Sequence, residues 1–205
     1  MGRIVMKFGG TSVATASRML SVAEIVRSRL DRQPLVVVSA VGVSEPGESK
    51  ITDQLETMAE LAHAHDPFEE NLDRIRNKHK KVLGELALPW KTIDREWKAL
   101  SKALDNADRP YKEFLDEIFS FGERLSSKII AALFIRENLP ARCVEVDELG
   151  IRTNEKFQDA TVPEEFEEGV LAGLRNEKKI LVIPGFVGQT ADGRITTLGR
   201  GGSDY

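Results

Sequence analysis

Four short segments, spread from one end of the 205-residue chain to the other, gather side chains able to bind anions or to meet a cationic ligand. The first is Lys7-Phe8-Gly9-Gly10-Thr11-Ser12, a lysine at the end of an apolar run followed by two glycines and two hydroxyls. A strand end, a backbone that a ligand can approach and the unpaired N–H groups of a helix start suit an anion, and phosphate is the natural guest. The order is not that of a Walker A loop, whose lysine follows the glycines, and a dinucleotide fingerprint needs a third glycine. A tight strand-helix turn with an exposed lysine is the plainer account of the same residues.

The second segment is Ser39-Ala40-Val41-Gly42, with Thr52-Asp53 opening the helix beyond it. Ligands of open α/β sheets gather at carboxyl strand ends, which places these hydroxyls beside the first segment. The alternative is that Ser39 only closes a strand and Thr52 or Asp53 only caps a helix. Between them, Val43 to Lys50 holds the breaker pair Pro46-Gly47 and charges of both signs, the composition of a mobile loop or lid. The third segment, Phe121-Gly122-Glu123-Arg124, falls inside a helix whose apolar stripes cover several faces. A carboxylate there needs a partner, and a mid-helix glycine costs ~1 kcal/mol unless something comes close. A cationic ligand group such as an amine explains both; an internal ion pair with an arginine explains the first. The fourth, Thr196-Thr197-Leu198-Gly199-Arg200-Gly201-Gly202-Ser203-Asp204, runs a strand into a glycine-rich turn, where Arg200 can grip a carboxylate bidentately. Arg152-Thr153-Asn154 is a weaker case of the same kind, open to being a surface arginine in a turn.

The elements that must position these segments alternate between strand and helix. Ile4, Val5, Met6 and Phe8 read as a strand; Thr11-Ser12 supply caps for a helix with Met19, Val22, Val26 and Leu30 on one stripe. Leu35-Val36-Val37-Val38 is continuously apolar, as expected of a strand buried on both faces of a parallel sheet. From Asp66 to about Leu104 apolar residues recur at helical spacing amid many charges, which predicts an inserted helical arm docked on the main body or on another subunit. A long helix after Pro110, a strand near Arg142–Val146, a helix from about Pro163 to Leu174 and a strand at Ile180–Ile183 follow. Asp192-Gly193 signals a hairpin.

Composition narrows the function classes. Apolar residues make up 41% and charged residues 30% of the chain, enough to bury a core, and the net charge of -4 gives no general attraction to nucleic acid or anionic membrane. The basic run Lys78-His79-Lys80-Lys81 reads as a solvated helix face, and His63, His65 and His79 as structural. A single cysteine, Cys143, excludes a disulfide framework and a zinc quartet and favours the cytoplasm.

Taken in order, Lys7-Phe8-Gly9-Gly10-Thr11-Ser12, Val37-Val38-Ser39-Ala40, Phe121-Gly122-Glu123, Gly185-Phe186-Val187-Gly188 and Thr196 to Asp204 resemble the successive signatures of aspartokinases, which belong to the amino acid kinase family. The resemblance runs from Lys7 to Tyr205, and its last motif is the most specific. It implies a three-layer αβα sandwich with a mostly parallel central sheet, here incomplete at the carboxyl-terminal end, with the helical arm at about 66–104 as an insertion. The nucleotide-binding half and the regulatory ACT domains of the family would lie outside these residues, so that the chain by itself would not turn over. The implied reaction moves the γ-phosphoryl group of ATP to the side-chain carboxylate of L-aspartate, giving 4-phospho-L-aspartate, the first step toward lysine, threonine and methionine. Lys7, Gly9 and Gly10 would hold ATP phosphates with Ser39 nearby, Mg2+ would be bound through those phosphates, and Thr52, Glu123, Arg152, Arg200, Ser203 and Asp204 would contact aspartate. Lys7 and Arg200 would carry the catalysis, and the full-length enzyme would be a homo-oligomer. The Val43–Lys50 loop is longer and more charged than the family pattern. A kinase of another carboxylic amino acid, or a non-catalytic amino-acid-binding module of the same fold, are the alternatives.

Overall fold

Residues 3–164 and 177–198 are described by a computed structural model of the chain. The elements run β1 (Val5–Phe8), α1 (Ala16–Arg27), β2 (Leu35–Val38), α2 (Ile51–His63), α3 (Glu69–Glu85), α4 (Asp94–Leu104), α5 (Tyr111–Arg136), β3 (Ala141–Cys143), α6 (Val146–Leu149), β4 (Ile180–Pro184), β5 (Val187–Gln189) and β6 (Ile195–Thr197). Strands β1 to β4 form one parallel sheet in the order β1-β2-β4-β3, and β5 and β6 form a separate antiparallel hairpin. The helix expected over about 163–174 falls mostly outside the described residues.

Alternation along the strands divides the core in two. Phe8, Val36, Val38, Ile180 and Val182 face a large cluster shared with the helices. Leu35 and Leu181 face the other way and join Val144 in a small one. The long helix α5 is the spine of the larger cluster: Phe114, Ile118, Phe121, Leu125, Ile129 and Phe134 are all essentially buried along it. It packs on β2, β3 and β4 and also receives α2 and α4. The predicted arm therefore docks on the main body. Ile75, Val82, Leu86, Ile93, Trp97 and Leu100 belong to the same continuous core as α5.

Several local expectations shift. Thr11 and Ser12 sit in a short 3-10 turn over Gly10–Val13, and the cap of α1 is Thr15, whose Oγ1 accepts from the Arg18 N–H at 3.3 Å. Leu30 lies beyond the end of α1 and is exposed, because the helix stops at Arg27. The strand expected at Arg142–Val146 begins one residue earlier and ends at Cys143. Of the basic run on α3, Lys80 and Lys81 are exposed as expected, but Lys78 is mostly covered and His79 is fully buried. Among the described residues no helix is long and apolar enough to cross a membrane.

His79 gives the arm a pH dependence. Its Nδ1–H donates to the Ile75 carbonyl at 2.8 Å, its Nε2 is buried without a partner among the described residues, and burial lowers its pKa from about 6.5 to about 4. The folded state therefore prefers the neutral ring. Above pH 6.5 both states are neutral and nothing is lost; below it the unfolded chain takes a proton that the folded one refuses. Between pH 7.5 and pH 5 the wild type should lose about 2 kcal/mol more unfolding free energy than His79→Leu, measured by urea denaturation. Equal losses in the two proteins would assign the acid sensitivity elsewhere.

Candidate active site

Glu123 lies midway along α5 and is 6% exposed. Its Oε1 accepts the Ala40 N–H at 3.1 Å, while Oε2 is buried with no donor among the described residues. The glycine before it explains how Ala40 gets there. A Cβ on Gly122 would stand 2.9 Å from the Ala40 Cβ and 3.4 Å from Leu55 Cδ1. The close approach expected at Gly122 is thus made by the turn after β2 and the first turns of α2, not by a ligand. Ser126, nearly one helical turn on from Glu123, donates its hydroxyl to the Ser39 carbonyl at 2.7 Å, so α5 grips two successive residues of that turn.

The Gly9-Gly10 segment joins the same place. Ser39 N–H donates to the Phe8 carbonyl at 3.1 Å. A Cβ on Gly10 would lie 3.2 Å from the Ala40 carbonyl and 3.3 Å from Gly42 Cα, and a Cβ on Gly42 would strike the Gly10 carbonyl. Gly10 and Gly42 are therefore small for each other's sake, whereas the space above Gly9 is open. Three of the four sequence segments, remote in the chain, meet at the carboxyl ends of β1 and β2.

Lys7 is exposed on β1, in register with Val37, and strand alternation puts it on the face opposite Met6 and Phe8. Thr52 stands in the first turn of α2 beside Asp53, to which its hydroxyl donates at 3.4 Å, and α2 is seated on Gly122 through Ile51 and Leu55. One guanidinium nitrogen of Arg152 donates to Gln189 Oε1 at 3.3 Å and to the Thr190 carbonyl at 3.2 Å, bracing the β5-β6 hairpin. Arg200, Ser203 and Asp204 lie outside the described residues.

Burial is the main influence on Glu123, and it pushes the carboxyl up to about 7 against the downward pull of the Ala40 N–H and its own amide. The internal ion pair foreseen for it is not made by its neighbour. Arg124 turns to Glu96 of α4 at 2.6 Å and lies 4.2 Å over the Phe121 ring. A group that brings positive charge or a hydrogen-bond donor to Oε2 is what this environment lacks.

Sequence reasoning passed over Asp116, which is fully buried on α5. Its Oδ2 accepts the backbone N–H groups of Thr197 at 3.0 Å and Gln158 at 2.9 Å, and its Oδ1 accepts the Thr197 hydroxyl. Burial raises its pKa while those three donors oppose the rise. The effect is to bolt β6, the strand that leads into the Gly199–Asp204 motif, onto the helix that carries Glu123. The signal was available: Asp116 precedes Glu123 by seven residues, two helical turns, and so shares its face.

The family model described as the amino acid kinase family matches residues 2–205. Aspartokinase 3 of Bacillus subtilis is 31% identical over 201 residues, covering 98% of this chain and 44% of that protein. Lysine-sensitive aspartokinase 3 of Escherichia coli is 33% identical over 212 residues, covering 98% of this chain and 44% of that protein. The crystal structure of E. coli aspartokinase III in complex with aspartate and ADP aligns with a TM-score of 0.83 and 33% identity, over 99% of this chain and 45% of that one. The chain thus spans less than half the length of these relatives.

The raised Glu123 makes a signed prediction. Its folded pKa of about 7 lies above the ordinary 4.5, so its favourable contribution is complete below pH 4.5 and is lost as pH rises through 7. Glu123→Gln keeps the acceptor for Ala40 and cannot ionise. Its stability relative to wild type, without ligand, should therefore improve by about 2 kcal/mol between pH 5 and pH 8. Parallel stability curves from chemical denaturation over that range would mean that Glu123 is ionised and accommodated at both ends.

Proposed function

The chain belongs to the amino acid kinase family, and from that premise we propose that it carries the substrate-binding part of an ATP-dependent aspartate kinase of the cytoplasm. The observation that supports this most is the Glu123 carboxylate, buried with one oxygen unpartnered, set where Gly9-Gly10 and Ser39-Ala40 come together at the strand ends. A substrate amine is the cation it would take. The open space above Gly9 and the amides of the 3-10 turn at Gly10–Val13 suit phosphate oxygens. With the lysine of β1 near the end of the same strand, they form a cradle for the donor's polyphosphate.

The chemistry asks little of a general base. Aspartate's side-chain carboxylate, with a reference pKa near ~3.9, is already ionised at neutral pH. One of its oxygens attacks the γ-phosphorus of ATP, the bond from that phosphorus to the β-bridging oxygen breaks, and ADP leaves with the electron pair, giving the acyl phosphate. The task left to this chain is to hold the two anions together and to neutralise the charge that develops on the transferring oxygens. In this reading Lys7 meets that charge, Glu123 and Thr52 orient the amino acid, Arg200 clamps its α-carboxylate, and Ser203 and Asp204 complete the pocket, with Arg152 supporting the hairpin. In this reading Mg2+ would be carried on the phosphate oxygens, where it would supply further charge neutralisation.

An assay of ADP release by the full-length polypeptide against L-aspartate, L-glutamate and N-acetyl-L-glutamate decides the acceptor. Turnover should appear with L-aspartate alone. Transfer to another acceptor would redirect the substrate assignment, and aspartate binding in calorimetry without any transfer would make the chain an amino-acid-binding module. In the same assay Lys7→Ala should lower kcat by about a hundredfold or more with little change in the KM for aspartate, because its charge matters most in the transition state. An unaltered kcat removes Lys7 from the mechanism.

A further inference from the structure

The Val43–Lys50 loop joins two parts of the candidate site, leaving the Ala40–Gly42 turn and entering α2 just before Thr52. Its composition suggested a mobile lid, yet its centre is tied down. Glu48 Oε2 accepts both the backbone N–H of Ser44 at 2.7 Å and the Ser44 hydroxyl at 2.8 Å, closing the loop on itself. Glu48 Oε1 accepts from Lys78 Nζ of α3 at 2.6 Å. The Lys78 side chain is 9% exposed and that of Glu48 28%, so the pair is shielded far more than a surface ion pair. These bonds hold the Glu48 carboxyl down at about 2 in spite of partial burial. Gln54 adds a second tie, donating from Nε2 to the Ser49 carbonyl at 3.0 Å. Glu48 and Lys78 line a cleft of about 850 Å³ walled by the loop, α2 and α3.

We propose that Lys78 is a positioning residue for the amino acid substrate: through Glu48 and Ser44 it fixes the path of the 43–50 loop and thereby the placement of Thr52 relative to Glu123. The inference rests on the reading of Glu123 and Thr52 as aspartate-binding groups. It assigns the helical arm a part in the site, through the Lys78–Glu48 pair. The pairing also gives a reason for the unusual charge of the loop, since Glu48 serves a lysine from an element that lies 30 residues away in the chain.

The test uses the full-length polypeptide and four variants, Lys78→Met, Lys78→Arg, Glu48→Gln and the Lys78→Met/Glu48→Gln double variant. Hydrogen exchange of the peptide spanning 43–50, followed by mass spectrometry, reports the tie itself; steady-state kinetics report its effect. Lys78→Met should speed exchange in that peptide at least tenfold and raise the KM for aspartate about tenfold, with kcat and the KM for ATP within twofold of wild type. Lys78→Arg should restore both readouts, and Glu48→Gln should reproduce Lys78→Met with no further loss in the double variant. Faster exchange with an unchanged KM for aspartate would overturn the positioning role, and unchanged exchange would overturn the tie. A wild type that neither binds nor phosphorylates aspartate would sink the functional reading, and with it the link to substrate, while the exchange data would still decide whether Lys78 orders the loop.

Discussion

The site depends on one backbone amide. Ala40 N–H points at the Glu123 carboxylate, and that bond can form only because position 122 has no side chain to keep Ala40 away. The same residue presents its carbonyl to Gly10, and its neighbour Ser39 is bonded to Phe8 on one side and to Ser126 on the other. A strand end, a glycine turn and the middle of a long helix are thus locked together by contacts that tolerate almost no change in volume. Such packing turns three loosely related segments into one rigid corner, and rigid corners are where electrostatic preorganisation is possible.

The long helix organises the rest around that corner. Along one side of α5, Asp116 secures the hairpin strand that runs toward the glycine-rich motif, and two turns later Glu123 faces the strand ends. Buried acids of this kind are poor contributors to stability unless fully bonded. Asp116 is satisfied by three donors from β6 and the 158 region, so it acts as a fastener. Glu123 is left with one oxygen that has no donor among the described residues, so its burial is less well compensated than that of Asp116.

Much of this was legible in the order of residues. A continuous apolar run marked β2 as a buried parallel strand, β4 was legible as a strand, the multi-faced apolar pattern marked α5 as a core helix, and Asp192-Gly193 marked the hairpin. Glycines were legible as places of close approach, but not what approached: it is the protein's own backbone at Gly10 and its own side chains at Gly122. What could not be read was tertiary pairing between distant polar residues. Lys78 looked like one of four solvated basic residues because its partner, Glu48, sits in a loop with no periodicity to betray its direction. Nothing local announces that Gln189 and Thr190 will accept hydrogen bonds from Arg152. The motif ending in Asp204 was the most specific sequence signal, yet Arg200, Ser203 and Asp204 are outside the described residues, so the meeting of Lys7 with Arg200 stands as a reading of sequence.

The helical arm has one more implication. Its apolar stripes do not form a core of their own; Ile75, Leu86, Ile93 and Leu100 are continuous with Phe114 and Phe121 of α5. Shortening or grafting that segment would strip one flank of the helix that bears Glu123, the flank where Glu96 holds Arg124. For anyone engineering the protein, residues 66–104 are therefore not a detachable accessory but part of the body against which α5 is packed.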